Sequence, residues 1–164
     1  MKKNKIGLCL SSGYDSGAIS CCLNKLKIDL YTEVLDWEMF KDLQLSFLKA
    51  STPDGEIPTD HAIFSILYRL ANRFDVKYII SGMNFRSEGM LPPTWASGHF
   101  DWKYIKSVHR KFGTKSIGSY PGLPLYKLFY YSMIKKIQVI SIASMLAEAM
   151  KRISNSTSVS SLFK

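Results

Sequence analysis

Along this chain the apolar positions switch between a strand-like and a helix-like period, and the switches mark its elements. Ile6, Leu8, Cys9 and Leu10 make a short apolar run that stops at Ser11, which predicts a buried strand over residues 5–10. A polar stretch follows, and a helix is expected over about residues 16–26. Residues 29–35 alternate and contain Tyr31, Thr32 and Val34, which suits a second strand. Asp36 stands where an N-cap belongs, ahead of a stripe of Met39, Phe40, Leu43, Phe47 and Leu48. STPDGEIP, residues 51–58, is a loop by composition.

The clearest helical pattern starts near Thr59. Thr59 or Asp60 can cap it, and Ile63, Ile66, Leu67, Leu70 and Phe74 recur at helical spacing. VKYIIS, residues 76–81, reads as a buried strand ended by Gly82. A long irregular segment, 82–100, contains Pro92 and Pro93; structureless stretches of that length inside a domain are usually functional or disordered. Asp101 can cap a further helix with Trp102, Ile105, His109 and Phe112 inward and Lys103, Lys106 and Arg110 on the opposite face. Residues 124–136 predict an aromatic-rich helix and 137–142 a strand, while serine-rich 154–161 is expected to fray.

Strands alternating with helices, with polar loops after the strands, predict an α/β fold with a mostly parallel sheet and flanking helices. Ligands of such folds sit beyond the carboxyl ends of the strands. Two polar loops fall at that edge, residues 11–16 and 82–89. In the first, Ser11, Ser12 and Gly13 let a ligand approach the backbone, and the helix that follows aims unsatisfied N–H groups at the same space. Asp15 would repel a phosphate there unless a divalent cation bridged them, so Mg²⁺ is the expected companion. A plain strand-to-helix turn is the competing reading. No Gly-Lys-Ser or Gly-Lys-Thr follows, which excludes the standard P-loop. In the second loop, SGMNFRSEG, Asn84 and Ser87 offer hydrogen bonds and Glu88 a second carboxylate.

The length, 164 residues, predicts one domain over residues 1–152 and a frayed tail over 153–164. Net charge is +9, but residues 1–100 carry 11 basic and 11 acidic side chains, so the excess lies entirely in 101–164. That basic part suits RNA, a membrane surface, an anionic small molecule or merely a solvated face. No aromatic stripe interleaves Lys103, Lys106 and Arg110, so RNA is not expected as the partner. Cys9, Cys21 and Cys22 form no Cys-x-x-Cys pair and are expected to be reduced, small hydrophobes; the three histidines show no metal-ligand spacing. The N-terminal apolar run of about six residues is too short for an export signal or a membrane span, so a cytoplasmic protein without a membrane span is expected.

The loop SSGYDS resembles the SGGxDS loop of the PP-loop ATP pyrophosphatases, and SGMNFRSEG resembles their later ATP-site segment, as in NAD synthetases. Over residues 28–136, the blocks IDLYTEVLDWEMFKDLQLSFLKA, EIPTDHAIF, YIISGMNFRSEGMLPPTW and KSVHRKFG resemble the N-acetyl sugar amidotransferases of surface-polysaccharide biosynthesis. GLCLSSGYDSGAI is more similar to the asparagine-synthetase branch of the same superfamily. Ser12 stands where the loop usually has a second glycine, and one strand–helix unit of the PP-loop (HUP-like) fold is missing after the first helix.

The resemblance implies ATP-dependent conversion of a sugar N-acetyl group to an acetamidino group, in lipopolysaccharide, O-antigen or glycan biosynthesis. The amide oxygen would attack the α-phosphate of ATP and expel pyrophosphate; ammonia would then displace AMP. It assigns the ATP site to Ser11, Ser12, Gly13, Asp15, Ser16, Ser81, Gly82 and Asn84, and catalysis and Mg²⁺ to Asp15 and Glu88. Thr59, Asp60, His61, Arg86 and Trp95, with His99, would face the N-acetyl sugar, which is nucleotide-linked or acidic in that family. Competing readings make Asp60 a helix cap beside a partly exposed His61, and make Arg86, Trp95 and His99 loop-ordering residues. Cys9 lies in a predicted core strand and Cys21 and Cys22 in a helix, so ammonia is expected from a separate glutaminase subunit. Two alternatives stand beside this reading: a tRNA-modifying PP-loop enzyme, and a noncatalytic, truncated PP-loop module.

Overall fold

The computed structural model describes residues 6–8, 14–27, 31–81, 100–141 and 143–160, with side chains described for all but 6–8, 14–16 and 143. Its elements, in chain order, are β1 (Ile6–Leu8), α1 (Tyr14–Lys25), α2 (Trp37–Lys49), α3 (Ile57–Arg73), β2 (Tyr78–Ser81), α4 (Trp102–Phe112), α5 (Leu125–Phe129), β3 (Gln138–Ser141) and α6 (Ala143–Ser154). A π-helical turn, Tyr130–Ile134, continues α5, so the expected single helix over 124–136 changes winding halfway. The strands form one sheet in the order β1-β2-β3, and both pairings are parallel. The fold is α/β, as the alternation of elements predicts.

Two helix starts follow directly from their first residue. The Asp36 carboxylate accepts the Met39 N–H at 2.9 Å, and the Asp101 carboxylate accepts the Tyr104 N–H at 2.9 Å. Each satisfies an N–H that has no partner inside the helix. From α2, Met39, Leu43 and Phe47 then enter a core shared with Ile57 and Ala62 of α3, Ile105 and Val108 of α4, and Tyr120. Phe47 meets Tyr104 edge-on at 5.9 Å. A second core joins Tyr68 and Ala71 of α3 to Ile79 of β2, Leu123 and Ile137, and so fixes α3 to the sheet. Leu43, Phe47 and Ile105 are wholly buried; each such side chain contributes about 1.5–3 kcal/mol.

The structure corrects four expectations. Residues 31–36 form no strand. Val34 is 90% exposed, while the Tyr31 ring packs on Phe74 at 4.3 Å and Glu33 pairs with Arg69, so the segment follows α3 rather than the sheet. In α2, Leu48 is 63% exposed, and Asp42 and Ser46 are buried instead; positions 39, 42, 43, 46 and 47 make the narrower stripe at helical spacing. The helix expected from Thr59 begins at Ile57, with Pro58 in its first turn, where the missing N–H costs nothing. Neither Thr59 nor Asp60 therefore caps it, and its buried face is Pro58, His61, Ala62, Ser65, Tyr68 and Ala71, with Ile63 outward. Cys21 and Cys22 are free, as expected, but exposed rather than used as core hydrophobes. Among the described residues no helix is long and apolar enough to cross a membrane.

Gly122 has a packing role that tests the first core. A Cβ on it would stand 2.5 Å from the Trp102 ring, closer than any side chain tolerates, so Gly122→Ala should lower stability by about 1–3 kcal/mol. Gly118 has only the Ser116 hydroxyl nearby, at 3.5 Å, and Gly118→Ala should change stability by less than about 0.5 kcal/mol. Equal urea midpoints for the two variants would refute the close Trp102 contact.

Candidate functional site

The register of the sheet sets the geometry of the carboxyl edge. Leu8 at the end of β1 pairs with Ile80 of β2, and Ser81 closes β2 one residue later. Because the strands are parallel neighbours, β1 and β2 end at the same edge of the sheet; the segments that follow them in sequence, 9–13 and 82–99, lie outside the described residues. Helix α1 starts at Tyr14, so Asp15 and Ser16 are its second and third residues, among its unsatisfied N–H groups. Ser81 is half-buried and registers with Ser141 of β3. Ser11, Ser12, Gly13, Gly82, Asn84, Arg86, Glu88, Trp95 and His99 lie outside the described residues, as do the side chains of Asp15 and Ser16.

Thr59, Asp60 and His61 come together in the first two turns of α3, but their surroundings differ. Thr59 and Asp60 are half-buried, and Asp60 complements the positive end of the helix dipole. His61 is completely buried, not the partly exposed neighbour expected. Its Nε2 accepts the Leu123 N–H at 2.9 Å, which assigns its proton to Nδ1. The imidazole stacks on Trp102 at 5.2 Å, and Trp102 stacks on Tyr120 at 6.0 Å. Tyr120 in turn donates its hydroxyl to the Pro58 carbonyl, and burial pushes its phenol well above the usual range. This ladder sets the starts of α3 and α4 beside each other and ties the 120–123 segment to both.

A second constellation, absent from the sequence reading, centres on Asp42. Its carboxylate accepts the Thr114 hydroxyl at 2.6 Å, the Thr114 N–H at 2.9 Å, the Lys115 N–H at 2.9 Å and His109 Nε2–H at 2.9 Å. The Thr114 hydroxyl, then the Lys115 N–H, hold the Asp42 carboxyl far below the usual carboxylate range, against the opposing effect of burial. Since an ionised carboxylate only accepts, His109 carries its proton on Nε2. Gly113 lies flat on that imidazole, where a Cβ would approach to 2.3 Å. The sequence did carry one signal: a carboxylate at an inward position between Met39 and Leu43 needs partners.

The Asp42 clamp fixes the turn after α4, and that turn completes a basic concavity of about 660 Å³. Lys103, Lys106, Ser107 and Arg110 line one wall, and Lys115, Ser116 and Ile117 the other, with His109 between them. The Lys115 ammonium reaches Glu38 at 2.6 Å, and Lys106 lies 5.8 Å from the centre of the Trp102 ring. Among the described residues no group of three or more His, Cys, Asp or Glu side chains is placed to hold a metal ion. Comparison with protein-family models, with curated proteins and with solved structures finds no match to this chain.

Proposed function

We propose that the chain is an ATP-dependent, AMP-forming enzyme with a shortened PP-loop fold that converts a sugar N-acetyl group to an acetamidino group. One observation supports it above the others: β1 and β2 are parallel neighbours that end at the same edge, and SSGYDS and SGMNFRSEG are the sequence segments that follow them or close them. Five residues separate β1 from helix α1, and its first-turn N–H groups suit a pyrophosphate. In this reading Ser11, Ser12, Gly13 and Ser16 hold pyrophosphate, and Ser81, Gly82 and Asn84 hold the rest of ATP. Asp15 and Glu88 hold Mg²⁺, which supplies neutralising charge as pyrophosphate departs. Thr59, Asp60, Arg86 and Trp95 meet the sugar; His61, being buried, positions α3 instead. Ammonia comes from a separate glutaminase subunit.

Titration calorimetry with Mg·ATP tests the reading. A single saturable site is expected, and ATP–pyrophosphate exchange should appear only when an N-acetyl sugar is added. No heat at millimolar Mg·ATP would leave the noncatalytic module as the better account. That second reading draws on one observation, since residues 31–36, expected as part of a strand, form none.

A further inference from the structure

The basic concavity over α4 has a charge pattern that helix stability does not explain. Lys103, Lys106 and Arg110 follow one another at helical spacing on an exposed face. Like charges three and four residues apart repel on a helix. Arg110 at least sits in the last turn, where the dipole favours a cation; Lys103 sits in the first turn, which holds no acid and disfavours one. Among the described residues no carboxylate pairs with Lys103, Lys106 or Arg110, and none lines the concavity. Across from them, the buried Asp42 clamp spends four hydrogen bonds on fixing the turn that presents Lys115. Lys103, Lys106 and Arg110 thus stand together without a carboxylate partner, facing a Lys115 that is paired with Glu38, around an open concavity of about 660 Å³, a volume within the range of ligand sites.

We infer that this concavity binds a small molecule carrying two or more linked phosphoryl groups. From Lys103 to Arg110 the helix rises about 10 Å, wider than a single phosphoryl group can bridge. The Ser107 and Ser116 hydroxyls add neutral donors between the charges. A single-stranded nucleic acid would need aromatic faces for its bases, and the ring beside Lys106, Trp102, is already stacked between His61 and Tyr120. The site takes no residue from the proposed ATP site, so it stands or falls separately.

The test is calorimetry with inorganic pyrophosphate in EDTA, which removes any contribution of Mg²⁺. A saturable single site is expected, with orthophosphate binding about tenfold more weakly. Lys103→Ala/Arg110→Ala should weaken pyrophosphate at least about tenfold, while Lys49→Ala/Lys151→Ala, which removes the same charge elsewhere, should change it less than about twofold. The first double variant should melt no lower than the parent, because it relieves repulsion. The absence of saturable heat would overturn the inference, as would an equal loss in both double variants. So would a short single-stranded RNA that binds the parent more tightly than pyrophosphate does.

Discussion

Asp42→Asn should destabilise the chain by about 3–5 kcal/mol at neutral pH, the cost of removing a buried charge from a satisfied network. Four donors converge on this carboxylate, and asparagine offers one oxygen and turns an NH₂ towards the others. Three elements lose their tie at once: α2, the end of α4, and the turn bearing Lys115. The pH dependence follows from the depressed pKa. A carboxyl whose folded value lies below the unfolded value of about 3.9 contributes its full stability above that value and loses it as pH falls towards the folded one. Urea unfolding of parent and variant should therefore show a gap that is constant from about pH 5 to 7 and narrows below about pH 4. Asp36→Asn serves as the control, since asparagine caps a helix as well as aspartate. A gap below about 1 kcal/mol, or one that does not narrow in acid, would show that the clamp carries no such weight.

Asp15→Asn should abolish ATP–pyrophosphate exchange while leaving the fold almost intact. Asp15 is the second residue of α1, so losing its charge removes a favourable interaction with the helix dipole worth about 0.3–1 kcal/mol. If the residue served only that end of the helix, the variant would exchange pyrophosphate nearly as well as the parent. If it holds Mg²⁺, asparagine keeps the shape but not the charge, and exchange should fall below detection. Measured exchange at parental rates, with an unchanged melting point, would sink the metal assignment.

Local signals proved the most legible. Asp36 and Asp101 cap helices because capping depends on a residue and its next three neighbours. Tyr78–Ser81 and Gln138–Ser141 form strands inside the expected 76–81 and 137–142 because short β-rich runs bounded by turn residues have few other uses. Residues 29–35 show the limit: alternation permits a strand, but the Glu33–Arg69 pair and the Tyr31–Phe74 contact, neither readable locally, draw 31–36 along α3. The start of α3 slipped because a first-turn proline reads as a loop signal until the helix is known. Asp42 stayed hidden for a similar reason, since its partners lie more than sixty residues downstream. The parallel pairing of β1 with β2 was legible from strand–helix alternation alone, whereas the burial of His61 depends on Trp102 and Leu123 arriving from elsewhere.

The sheet has a further consequence for how this chain reaches its fold. β2 is the central strand, and its partners are Ile6 to Leu8 on one side and Gln138 to Ser141 on the other. Neither pairing is a hairpin, so no tight turn can nucleate the sheet. Each waits for a long intervening stretch to compact first, and the loop-closure entropy is paid before any ladder bond forms. The helices built on local caps can form early, and the parallel edge where β1 and β2 end is assembled late. Any helical stage with its strand edges still unpaired would be the one most exposed to aggregation, as unpaired strand edges are in general.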